Sequence, residues 1–245
     1  MNQSATHSVL TREQWLQLQQ EHEHVVEPWV RPRLERRSQQ QSHPIDDFMF
    51  DYYPISPNKL RTWHPGWQYQ LEATAADLAV FPSAYEYDGS YIRVNPNWFQ
   101  TNAQHVFDAV TLLRATMHRP ARTGCFGLHE WAMVLGTHEV RHSEWNLRLT
   151  QNEIQQTISD VGLRCTHFDA FRFFTAEARP MNPLQLTRAD QLNQDQPGCL
   201  HANMDVYKYA QRLAPIVGSA LIRQTFALAR AIRTVDMQVA PYDFT

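Results

Sequence analysis

Apolar residues recur at helical spacing along most of this chain and alternate as in strands over only one short region. Thr11 to Gln14 reads as a capping box, with Leu10 and Trp15 placed to staple the helix entry. Trp15, Leu18, His22, Val25 and Val26 then keep to one face until Pro28 and Pro32 bend or end the segment. Ser56-Pro57 opens a short helix, and Ala103, Val106, Phe107, Val110, Leu113 and Met117 mark another between Asn97 and Met117. Leu128 to Val134 starts the next. Thr150 to Glu153 is a second capping box, opening a helix that Gly162 terminates. Thr187 to Asp190 caps a further one. After Cys199 two helices run on, split at Pro215; the last has Leu221, Ile222, Thr225, Leu228, Ala229 and Ile232 inward and Arg223, Arg230 and Arg233 opposite. β structure is signalled at Gln68 to Leu71 and in Tyr85 to Val94, where Asp88-Gly89 supplies a two-residue hairpin turn. Arg164 to Thr175 is rich in aromatic residues, has no clean period and is assigned to no element. The fold class expected is mainly α, a single helical domain over 1–245 with a small antiparallel β-hairpin element. An N-terminal helical arm covers about 1–42, the hairpin element about 67–95 and a helical core about 97–245.

Composition narrows the classes of partner. With 245 residues, 43% of them hydrophobic and 19% charged, the chain is long and apolar enough to bury a core. A formal net charge of -3 gives no basic field for nonspecific binding to duplex nucleic acid. The densest positive cluster, Arg31, Arg33, Arg36 and Arg37, reads as a solvated helix face before it reads as a phosphate site. No apolar run approaches the roughly 20 residues of a bilayer span, the polar start lacks a signal-peptide core, and three separated cysteines make no disulfide framework. A cytoplasmic location with no membrane partner is expected. Oligomeric state is not legible.

Candidate chemistry gathers at three places. Each cysteine stands just before a histidine and an acid: Cys125 with His129 and Glu130, Cys165 with His167 and Asp169, Cys199 with His201 and Asp205. The third set follows the turn signal Gln196-Pro197-Gly198 and opens a helical segment, so His201 and Asp205 share a face. The pattern suggests three segments converging on one polar site. One chemistry it can support is a divalent-metal centre held by His129, His167 and His201 with the neighbouring carboxylates. His138 and His142 have usable spacing as well. Of the strong metal motifs, Cys-x-x-Cys is absent. The other chemistry needs no cofactor. Glu130, Asp169 and Asp205, beside His167 and His201, can act as acid and base, with Trp131, Phe168 and Phe171 stacking a base and Arg172 meeting an anion. Buried, hydrogen-bonded histidines and plain core aromatics are the alternative for every one of these residues. Thiol catalysis is a minor option.

Gly124-Cys-Phe-Gly-Leu-His-Glu-Trp-Ala-Met133, Arg164-Cys-Thr-His-Phe-Asp-Ala-Phe-Arg-Phe-Phe-Thr175 and Gln196-Pro-Gly-Cys-Leu-His-Ala-Asn-Met-Asp205 carry a resemblance, supported by Asp236-Met237, Pro241-Tyr242-Asp243 and His43-Pro44 leading into Tyr52-Tyr53. Over most of its length the chain resembles a bacterial, largely actinobacterial, family catalogued as 3-methyladenine DNA glycosylase. The resemblance implies hydrolysis of the N-glycosidic bond of an alkylated purine in DNA, with Asp169 or Asp205 as base and aromatic rings stacking the flipped base. No helix-hairpin-helix motif and no terminal Cys/His zinc set accompany it. Two other readings stand beside this one: a metal-dependent enzyme acting on a small nucleotide-like substrate, and a nucleotide-binding module without catalysis.

Overall fold

The computed structural model describes residues 7–137 and 145–243. The chain divides into two compact units, Met1–Asp108 with Tyr207–Ala227 and Ala109–Val206 with Leu228–Thr245.

In the first unit, β1 (Ser8–Leu10) leads into α1 (Arg12–Ser38) through the capping box at Thr11 and Gln14. Pro28 and Pro32 lie inside α1 and do not end it. The missing donors are tolerated because the helix is held by what it packs on. His22 Nε2 meets Leu60 O at 2.9 Å, and Arg61 grips Glu27 through contacts of 2.7 to 3.0 Å. Trp15, His22, Val26 and Val30 face inward, while Leu18 and Val25 lie towards solvent, so the buried stripe is narrower than the apolar pattern suggests. Arg33 and Arg36 bond Asp47 and Asp51, which ties the last turns of α1 to α2 (Phe48–Asp51). They are engaged within the fold. After α3 (Pro57–Arg61) come β2 (Tyr69–Glu72), β3 (Tyr85–Tyr87) and β4 (Tyr91–Val94).

The expected hairpin forms at β3 and β4, where Gly89 takes φ +104° and the Asp88 carboxylate accepts from the amides of Ser90 and Tyr91. It is one half of a larger mixed sheet, ordered β1-β2-β4-β3, in which β1 pairs parallel with β2 from Ser8 opposite Tyr69 to Leu10 opposite Leu71. Three residues of strand 61 positions from their partner carry no local signal, which is why a simple hairpin was the expectation. Trp15, Trp63, Leu71, Tyr85, Ile92 and Val94 form the core beneath this sheet.

α4 (Pro96–Met117) forms as its spacing predicts, yet only Ala109 on it is buried, and Phe107 and Met117 are exposed. The second unit continues with α5 (Leu128–Ala132), α6 (Gln151–Val161), α7 (Phe168–Phe171), α8 (Gln191–Gln194), α9 (Leu200–Arg212) and α10 (Ser219–Gln238), the last two crossing the unit boundary. α6 has the predicted capping box and ends at Gly162, whose φ is +79°. Thr187 and Asp190 cap a 3-10 turn before α8. The segment left unassigned proves to be an extended run into a single turn, α7. On α10 the inward track is Ile222, Phe226, Ala229, Arg233 and Asp236, with Leu221 and Leu228 about half exposed. Arg233, expected on the outer face, is 2% exposed. Ile222, Thr225 and Ala229 are inward as expected, and the buried face turns towards Phe226, Arg233 and Asp236 in place of Leu221 and Leu228.

Candidate metal centre

Four segments of the second unit build the site. Gly127 sits in the left-handed region, φ +73°, and a Cβ there would stand 2.6 Å from Val239 Cγ2. That close passage starts α5 and sends His129 and Glu130 into the interior; Trp131 Nε1 fastens the outer side by donating to Val239 O at 2.8 Å. The second segment is held at Cys165, whose amide donates to Asn182 Oδ1 (2.8 Å) and whose carbonyl accepts from Asn182 Nδ2 (3.1 Å). His167 follows, fully buried, and then Asp169 on α7. The third is the turn before α9, where His201 and Asp205 lie one turn apart and both are buried. The end of α10 is the fourth, with Arg233 and Asp236.

A single buried amide joins three of these segments. Gln196 Oε1 accepts from the amides of Arg122 and Gly198, both at 2.7 Å, and Gln196 Nε2 donates to Arg122 O (2.9 Å) and Thr166 Oγ1 (3.4 Å). Gly198 passes so close to Arg122 that a Cβ would stand 2.7 Å from its backbone N and O.

The three imidazoles foreseen in the sequence are brought together. The rings of His129 and His201 are edge to face at 4.4 Å between centroids, and those of His167 and His201 stack at 5.8 Å. Two groups of ligand atoms result, each within 4.8 Å: His129, Glu130, His201 and Asp236, and His167, Asp169 and Asp205. Two of the histidines are tethered by the outer nitrogen. His129 Nδ1 meets Cys125 O at 3.4 Å, and His167 Nδ1 meets Asp195 Oδ1 at 3.0 Å. Their Nε2 atoms point inward and, among the described residues, have no hydrogen-bond partner; neither does Asp236 Oδ1. His129 Nε2 is 3.1 Å from Asp236 Oδ1, near enough for a hydrogen bond but not aligned as one. Arg233 Nη1 donates to Asp236 Oδ2 and Glu130 Oε1, each at 2.9 Å, and so turns the other oxygen of Asp236 towards His129.

The electrostatics follow from this packing. Burial works to lower the His129 imidazole, and the carboxylates of Asp236 and Glu130 outweigh it, holding it up to about 9. Burial works to raise Asp236, and His129 and Arg233 keep it below the usual carboxylate range. His167 is raised by Asp195 and Asp205 against its burial. His201, buried and next to His129, is held well below the ordinary histidine value and so is neutral. The interaction of the Cys125 and Cys165 thiols raises the first and lowers the second, while burial pushes Cys199 up to about 12.

Asp169 marks where the buried groups approach solvent: its side chain is 12% exposed and lies 3.6 Å from Arg172 Nε and 3.5 Å from Arg188 Nη2. The Arg188 guanidinium sits 5.5 Å above the half-buried ring of Phe168. Of the other residues expected to bind substrate, Phe171 is buried against Phe174 at 5.2 Å as core, and Trp131 is committed to Val239. His138 and His142 lie outside the described residues. Asp195, Arg233 and Asp236 were not foreseen as site residues. The signal for the last two was the α10 track continued from Phe226 and Ala229; Asp195 offered none beyond its place before Gln196-Pro197.

Imidazole nitrogens and carboxylate oxygens in this number suit zinc, iron or manganese, and a ligating histidine typically donates its other nitrogen to a carbonyl or carboxylate. The sets around His129 and His167 both have that form. No protein-family model, curated protein or solved structure matches the chain.

Proposed function

We propose that the protein is a metal-dependent enzyme whose ion is held by His129, His201 and Asp236, with Glu130 at its side, and that it acts on a small nucleotide-like substrate. The observation that carries this reading is the buried cluster of His129, Glu130, His201 and Asp236, whose ligand atoms lie within 4.8 Å of one another with His129 Nε2 3.1 Å from Asp236 Oδ1. Among the described residues the nearby His167 Nε2 has no hydrogen-bond partner, and leaving such a buried atom unsatisfied costs about 1–3 kcal/mol. A bound ion would remove that cost. Arg233 holds the two acids in place and offsets part of their charge. When bound, the ion supplies a Lewis acid and a water acidified to near neutrality. The Phe168 ring offers a face for a base, and Arg172 and Arg188 offer positive charge to a phosphate.

Elemental analysis of the purified protein tests the reading: at least one equivalent of a transition metal is expected, lost in His129→Ala and in Asp236→Asn. A wild-type protein that neither carries such a metal nor takes one up after incubation with zinc, iron or manganese would sink it. Turnover of a nucleotide panel, abolished by the same substitutions, separates an enzyme from a binding module, which would retain ligand without converting it.

The glycosylase activity implied by the family resemblance is the second reading. It is favoured by Asp169, a carboxylate near the surface beside the Phe168 ring, where an extruded base could stack. Release of base from alkylated DNA by the wild type, lost in Asp169→Asn, would support it; no release by the wild type ends it.

A further inference from the structure

We infer that the site is dinuclear, with a second divalent ion held by His167, Asp205 and Asp169 beside the first. This rests on the metal reading above and extends it. His167 is fully buried, its Nδ1 is tied to Asp195, and its Nε2, which has no hydrogen bond among the described residues, faces Asp205 Oδ2 at 3.8 Å. Ligands of one ion, each about 2.0–2.2 Å from it, stand at most about 4.4 Å apart, so the 4.8 Å spread of this group closes with small movements.

Geometry places the two ions close together. α9 contributes His201 to the first group and Asp205 to the second, four residues along, which is a rise of about 6 Å. The rings of His167 and His201 stack at 5.8 Å, so their nitrogens approach a shared region. Two-metal hydrolytic centres hold their ions roughly 3.5–4 Å apart, a separation this arrangement admits.

Among the described residues Glu130, Asp169, Asp195, Asp205 and Asp236 are buried beside one fully buried arginine, Arg233, a concentration of carboxylates that suits divalent cations. Asp169 in addition meets the exposed guanidinium groups of Arg172 and Arg188. A pair of ions with arginines at its entrance suits a phosphate ester, because in-line displacement at phosphorus uses one ion on the attacking and one on the leaving oxygen.

Manganese titration of the full chain, stripped by chelator, tests this, with bound metal counted and its paramagnetic resonance recorded. Two equivalents and a spin-coupled signal are expected for the wild type. His167→Ala and the isosteric Asp205→Asn should each bind one equivalent and give the uncoupled spectrum of an isolated ion. Asp195→Asn keeps the ligands but loosens His167, and should weaken the second equivalent about 10–100-fold while leaving the first. One equivalent in the wild type, unchanged in Asp205→Asn, overturns the second ion and leaves the first standing. No bound metal in any form overturns both.

Discussion

Among the described residues five buried histidines show what decides the role of an imidazole. In the first unit His22 is satisfied on both nitrogens, by Leu60 O at 2.9 Å and by Arg223 at 3.0 Å, and His64 Nδ1 meets the Tyr85 hydroxyl at 2.9 Å. These are core residues with partners. His129 and His167 differ in having one nitrogen tied outward and the other turned inward to a carboxylate, Asp236 at 3.1 Å and Asp205 at 3.8 Å. His64 gives a test of burial itself. Burial, with a smaller part from His22, pushes its imidazole down to about 4. The folded protein therefore holds fewer protons than the unfolded chain between that value and about 6.5. His64 contributes fully above the unfolded value, and its contribution is lost as pH falls towards 4, by on the order of 3 kcal/mol at most. Urea unfolding from pH 7 to 4 should show a smaller loss of stability for His64→Gln than for the wild type. Equal losses would contradict the assignment.

The site is assembled by elements too short to fold alone. α5 has five residues and α7 four, well under the length at which a helix is stable in isolation. Their positions come from tertiary fasteners: Gly127 against Val239, Asn182 around Cys165, and Gln196 joining Arg122, Thr166 and Gly198. Gly198→Ala should drive a methyl into the Arg122 backbone and cost about 1–3 kcal/mol, lowering the urea midpoint with an unchanged slope. A midpoint within error of the wild type would show that the two segments part easily. Capped elements were readable from local chemistry, as at Thr11, Thr150 and the Asp88-Gly89 turn, because both partners of each contact lie within a few residues. β1 was not readable, since its partner is β2, and the phase of α10 was misread because Leu221 and Leu228 are apolar on an exposed face.

At the scale of the molecule the chemistry is concentrated in one of two units. Every proposed ligand falls in Ala109–Val206 or Leu228–Thr245. Binding stabilises what it binds by about 2.7 kcal/mol at a hundredfold excess over the dissociation constant. Hydrogen exchange with and without metal should therefore show added protection in those segments and little in Met1–Asp108; uniform protection would mean that the ligands had been wrongly placed. Among the described residues no helix is long and apolar enough to cross a membrane. The mainly helical class, most helix starts and the three Cys-His-acid segments could be read from the chain alone, because periodicity, capping and residue type are local properties. Their meeting could not. The approach of His129 and His167 to His201, the arrival of Asp236 with Arg233 from α10, and the outward tether from Asp195 are contacts between residues 28 to 107 positions apart or on different elements. Only tertiary packing brings such atoms together, and it also determined which nitrogens and oxygens were left facing one another.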